Sequence, residues 1–230
     1  MKNLAFLTAI KTQKLALTAF LSILLSVSFS QGVFFTFGKT ITSYDYVNSQ
    51  GETIEELNSE LGNFFEIGGV FSLSRDKHLN YEVGLTLSQF NASATIDHHF
   101  YSWKTNYAGV QNLINYNFFK FSTFNFSRNN SLLLSDFNLF VQGGANVSYI
   151  IKGEQLIGTR TYDIAENEEF KGFFVQPLLG VGAKIKIVRN IGLSIGYNFS
   201  KAINTYREQD QQVDFYDNQI ELKIYFFTKH

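Results

Sequence analysis

The 230-residue chain contains no cysteine, one proline and one tryptophan, and only 17% of it is charged. The first absence excludes a disulfide framework and thiolate metal sites, so stability must come from packing and hydrogen bonding. A single proline alongside 17% aromatic residues is unusual for a soluble domain. Long apolar runs are also missing, except at the start, where Lys2, Lys11 and Lys14 precede the run 15–29 and small residues Ser28 and Ser30 sit at its end, where a signal peptidase would read them. This reads as an export signal cleaved after Ser30, with residues 1–30 removed and 31–230 forming the mature domain. The run is shorter than the roughly 20 apolar residues a spanning helix needs, which argues against a helical membrane anchor. Without the three signal lysines the mature chain keeps 16 basic against 20 acidic residues, a balance that excludes nucleic acid as a partner.

What the mature chain does have is alternation. In 219–226, Ile220, Leu222, Ile224 and Phe226 share one face while Gln219, Glu221, Lys223 and Tyr225 share the other. In 191–200, Ile191, Leu193, Ile195, Tyr197 and Phe199 oppose Gly192, Ser194, Gly196, Asn198 and Ser200. A period of two defines a β-strand. The same pattern runs through 33–41, 65–73, 81–87, 107–118, 137–151 and 173–187, giving eight strands, an even number as in bacterial single-chain barrels. The connections at 43–61, 92–103, 153–169 and 206–214 read as long loops, and those at 75–79 and 188–190 as tight turns. Such alternation predicts an all-β, transmembrane, antiparallel up-and-down barrel with its long loops outside the cell. The segment 120–135 is either an extended hairpin turning at 128–131 or an additional strand pair that makes ten.

Nine glycines, Gly38, Gly68, Gly84, Gly109, Gly144, Gly180, Gly182, Gly192 and Gly196, fall on the polar face. A glycine-lined polar face predicts a narrow lumen filled by side chains rather than an open pore. Glu66, Glu82 and Glu221 fall there with Lys184, Lys186 and Lys223, and since buried charges must be paired, internal salt bridges are expected without an assignable pairing. The apolar face would meet lipid, with Tyr44, Tyr101, Trp103, Tyr107, Phe170, Phe215, Tyr216, Phe226 and Phe227 as interfacial girdles. Pro177, lying within a strand, predicts a bulge or local distortion. Charge is segregated: Asp45, Glu52, Glu55, Glu56, Glu60, Glu154, Asp163, Glu166, Glu168 and Glu169 oppose a lone Arg160 in two of the long loops, and Arg75, Lys77, Arg128 and Arg189 mark the other rim.

Taken with the export signal and the apolar final strand 220–227, these strands resemble the small outer-membrane β-barrels of Bacteroidota, the porin-family or PorT-like type. That resemblance implies residence in the cell outer membrane, contact with outer-membrane lipid and lipopolysaccharide, and assembly by the barrel-assembly machinery through a terminal aromatic strand. Here Thr228, Lys229 and His230 follow the aromatics.

Chemistry is sparse. Asp97, His98 and His99 lie together near Ser93 and Ser102, but adjacent histidines on an extended chain point to opposite sides, and the group matches no catalytic or metal motif. His78 falls in a tight turn and His230 at the terminus, both expected in solvent. The pair Gly180 and Gly182 lacks the third glycine and helix of a phosphate loop. No catalytic, cofactor or metal site is expected. The leading expectation is a non-enzymatic barrel that supports the envelope or binds through its acidic loops. The alternatives are an accessory subunit of a larger secretion or transport complex docking through 120–134, and a small-solute channel or lipid-modifying enzyme.

Overall fold

The computed structural model describes residues 31–47, 57–76, 78–96, 99–121, 124–125, 133–165, 172–188, 190–205 and 212–228. The export segment 1–30, the segment 126–132 and the acidic residues Glu52, Glu55, Glu56, Glu166, Glu168 and Glu169 lie outside the described residues. The strands are β1 (Gly32–Val47), β2 (Asn58–Ser72), β3 (Leu79–Ile96), β4 (His99–Phe121), β5 (Phe124–Asn125), β6 (Leu133–Ile157), β7 (Arg160–Asp163), β8 (Phe173–Val188), β9 (Ile191–Asn204) and β10 (Gln212–Phe227). Eight of them are long and pair antiparallel in the cyclic order β1-β2-β3-β4-β6-β8-β9-β10, and β1 meets β10 from Gly32↔Phe227 to Val47↔Gln212. The sheet is therefore a closed barrel with no free edge, in which every long strand finds ladder partners on both sides.

Alternation does predict the fold, but the strands run much further than the sequence contrast suggests. The supposed loop at 92–103 is a β-hairpin paired up to Ile96↔His99. At 153–169, β6 continues to Ile157 and folds back on β7 through Glu154↔Asp163 and Ile157↔Arg160. Polar residues disguise these extensions because, beyond a lipid-facing zone, neither face needs to be apolar. Within 120–135, β5 pairs with the start of β6 at Phe124↔Leu134, prolonging the β4–β6 hairpin, and among the described residues no second strand pair enters the barrel.

The start of β1 and the end of β10, the β2–β3 and β8–β9 connections and the β5–β6 pairing lie at one rim, and the β3–β4 and β6–β7 hairpins rise from the other. His78 is not simply in solvent, because its Nδ1 lies 2.7 Å from the Asn117 carbonyl and ties the β2–β3 turn to β4. At Pro177 the ladder to β6 continues as Ala145↔Pro177, while β8 and β9 pair at Val175↔Ile203 and again at Leu178↔Ser200. The proline interrupts that ladder without shifting its register, so of the two expected outcomes the local distortion is found and the bulge is not.

The barrel is inverted relative to a soluble one. Thr36, Glu66, Glu82, Gln111, Gln142, Asn198, Glu221 and Lys223 are buried inside, while Leu61, Ile195, Ile220, Leu222 and Leu179 are exposed outside, the last at 71%. Among the described residues no helix is long and apolar enough to cross a membrane. Interior glycines let the wall close tightly. A methyl group at Gly144 would collide with the backbone carbonyl of Asn112 on β4, which no rotamer change relieves. Gly144→Ala is expected to cost about 2–3 kcal/mol, seen as a lower urea midpoint for the folded form.

Candidate functional site: the filled lumen

The inward face of β10 gives the order of the interior. From the chain-end rim it presents Tyr225, Lys223, Glu221, Gln219, Asp217 and Phe215, all buried. An aromatic floor gives way to charges, then amides, then an aromatic roof.

The charged layer converges on Lys223. Its Nζ lies 2.7 Å from Glu82 Oε2, 3.9 Å from Glu66 Oε2 and 3.9 Å from Glu221 Oε1, and the side chain is 1% exposed. Lys184 Nζ lies 3.9 Å from the other oxygen of Glu82 and 3.8 Å above the Tyr225 ring. Each carboxylate accepts further hydrogen bonds: Glu82 from Tyr225 Oη at 2.9 Å, Glu66 from Thr36 Oγ1 at 3.1 Å and Gln111 Nε2 at 3.3 Å, and Glu221 from Gln142 Nε2 at 3.1 Å and Gln219 Nε2 at 3.4 Å. Buried charges persist only when paired and hydrogen-bonded in this way. Of the six charges placed on this face by the sequence, five meet in one network. Lys186, half-buried and one inward position nearer the chain-end rim than Lys184, forms no ion pair among the described residues.

Sequence reading placed Gln219 and Tyr225 on the polar face but assigned neither them nor Thr36, Gln111 and Gln142 as partners of the charges, although parity marks all five as inward. It also missed what the glycines do here. A Cβ at Gly84 would stand 2.6 Å from Glu66 Oε1, and one at Gly196 would stand 2.9 Å from Glu221 Oε1. These two glycines are the sockets in which the carboxylates lie.

The roof corrects the girdle expectation. Phe90, Tyr107, Phe174 and Phe215 fill the lumen, with ring centroids 4.6 Å apart for Phe90 and Phe215, 5.2 Å for Phe174 and Phe215, and 5.2 Å for Tyr107 and Phe174. Tyr44 and Trp103 pack against the same cluster, and Ile164, carried in by the connection after β7, is buried within it at 2% exposure. Tyr44, Tyr107 and Phe215 are thus interior residues, and Trp103 belongs with them. Phe227 packs on the floor cluster of Phe34, Val70 and Tyr225. Phe226 is exposed on the outer wall, Tyr216 stacks there on Phe199, and Tyr101 stacks on Trp103; Phe170 lies outside the described residues.

No protein-family model and no curated protein matches the chain. Several solved structures are similar in shape. Neisserial surface protein A is 12% identical with a TM-score of 0.42, covering 85% of this chain and 97% of that one. Ail, the attachment invasion locus protein of Yersinia pestis, solved in complex with the heparin analogue sucrose octasulfate, is 10% identical with a TM-score of 0.39, covering 85% and 99%. The outer membrane protein OprG of Pseudomonas aeruginosa is 12% identical with a TM-score of 0.38, covering 86% and 98%.

The serines and His99 singled out by the sequence lie on the β3–β4 hairpin. Ser93 and Ser102 face each other across the β3–β4 ladder and His99 pairs with Ile96, while Asp97 and His98 lie outside the described residues. Gly180 and Gly182 are strand residues lying against Asn198 and Phe140. The lumen holds two layers of side chains, a charge network and an aromatic cluster.

Proposed function

We propose that the protein is a non-enzymatic barrel of a bacterial outer membrane, of the Bacteroidota type, closed to solutes, which serves the envelope through its outer wall and its surface hairpins. One observation carries this reading: the sheet is inverted, with charges and amides sealed inside and Leu179, Ile195, Ile220 and Leu222 exposed outside. In water such a surface would aggregate, whereas in lipid it needs no other cover and the closed ladder satisfies every strand. The β6–β7 hairpin carries Glu154 and Asp163 beyond that apolar wall, and with Glu60 at the start of β2 it belongs to the acidic surface offered to cations or basic ligands.

The experiment is fractionation followed by electrophoresis with and without boiling. The expected result is a heat-modifiable band in the outer-membrane fraction; a band in the soluble periplasm would overturn the reading. In planar bilayers the folded barrel is expected to give no current above the bare membrane, because both layers must open before ions pass. Stable conductance steps would refute the closed lumen.

A further inference from the structure

The outer wall is not uniformly apolar. On β1 the outward side chains near Lys39 are Phe37, 49% exposed, and Ile41, 39% exposed, and Leu61 on β2 is 63% exposed. Lys39 stands among them, and its Nζ donates to Asn63 Oδ1 at 2.6 Å. Asn63 Nδ2 in turn donates to Gln89 Oε1 at 3.1 Å. The ladder continues the row, since Gln89 pairs with Asn106 and Asn106 with Lys152. One oblique line of polar side chains therefore crosses β1, β2, β3, β4 and β6 on the outside of the barrel. Beside its far end stands Lys104, opposite Glu154, which lies 2.8 Å from Lys152. Lys104 and Lys152 are balanced at that end by Glu154 and by Asp163, which pairs with Glu154 across the β6–β7 ladder, so the uncompensated positive charge of the row is Lys39, which has no carboxylate within ion-pair distance among the described residues.

Height fits this row to a membrane boundary. Lys39 lies six residues beyond Val33, the first outward apolar position of β1. At about 3.3 Å per residue and a tilt near 40° that is about 15 Å up the wall, in the outer half of an apolar band about 25 Å tall. An ammonium and three amides facing hydrocarbon would be costly. Their presence calls for a polar ligand reaching down from the headgroup zone, with negative charge for the lysines and hydroxyl or amide groups for the amides.

We infer that the row Lys39, Asn63, Gln89, Asn106 and Lys152 binds a phosphorylated glycolipid headgroup, the chemistry of lipid A, on the outer wall of the barrel. The inference rests on the outer-membrane reading. Phosphate accepts from the lysines, Lys39 first, and the sugar hydroxyls exchange hydrogen bonds with the amides.

The test titrates the detergent-folded full barrel with bisphosphorylated lipid A and counts adducts by native mass spectrometry. A saturable adduct is expected, weakened about tenfold by Lys39→Ala and unchanged by Lys120→Ala, which removes an exposed lysine near the opposite end of β4. Heat-modifiable migration is checked for each variant first, so that loss of binding is read only on folded barrels. Full affinity in the Lys39→Ala/Asn63→Ala double variant, equal uptake of phosphatidylglycerol, or no saturable adduct would overturn the inference. A barrel found in the outer membrane that takes up no lipid A defeats the site and leaves the location standing; a protein absent from that membrane defeats both.

Discussion

Lys223→Met is expected to lower the stability of the folded barrel by about 3–5 kcal/mol, the usual cost of removing one partner of a buried ion pair. The reason is local. Among the described residues Lys223 alone approaches all three buried carboxylates of the network, at 2.7 Å from Glu82 and 3.9 Å from each of Glu66 and Glu221. Without it Glu82 retains Lys184 at 3.9 Å, but Glu66 and Glu221 retain only neutral donors. Equilibrium unfolding in urea, followed by the heat-modifiable band, measures the effect. The double variant Lys223→Met/Glu82→Gln should lose less than the two single variants added together, since the amide no longer needs a cation; additive losses would show that the pair is not coupled. Lys186→Met, which breaks no ion pair among the described residues, should cost less than about 1 kcal/mol. An equal loss there would mean that lysines stabilise this lumen by something other than the Lys223 contacts.

Phe215→Ala is expected to cost a similar amount, about 3–5 kcal/mol, as for other buried phenylalanines truncated to alanine. Phe215 is the hub of the roof, with ring centroids 4.6 Å from Phe90, 5.2 Å from Phe174 and 5.4 Å from Tyr44. Its chain neighbour Tyr216 points outward and stacks on Phe199, so Tyr216→Ala should cost under about 1 kcal/mol because lipid or detergent replaces the ring. Equal effects at the two positions would contradict the interior placement of Phe215. The charged layer lies between the roof and the chain-end rim, so Phe215→Ala should remain non-conducting in planar bilayers while its urea midpoint falls.

The girdle expectation failed at Tyr44, Trp103, Tyr107 and Phe215, which pack inside, for a reason visible in their own strands. Phe215 shares parity with Asp217, Gln219, Glu221 and Lys223, and Tyr44 shares parity with Thr36, Gly38, Thr40 and Thr42. Both should have been placed inside. Aromatic residues near strand ends suggested an interface, but a closed barrel also needs a cap for its lumen, and burying rings does that without requiring partners for charges. The loop at 92–103 was misread for a related reason: outside a lipid zone the ladder continues through either polar or apolar side chains, so loss of contrast does not end a strand. The outer row of Lys39, Asn63 and Gln89 was likewise hidden, because in sequence these are three isolated polar residues on apolar faces.

The sequence by itself determined the element type, the even strand number and, through the period of two, which side of the wall almost every residue faces. Those are properties of single strands, set by alternation along the backbone. Only the tertiary structure decided that Lys223 meets Glu82, 141 residues away in the chain, that Gly84 and Gly196 are the sockets for Glu66 and Glu221, and that Ile164 is drawn into the roof. Such contacts depend on the register of every ladder around the ring, and closure of the sheet fixes all the registers together.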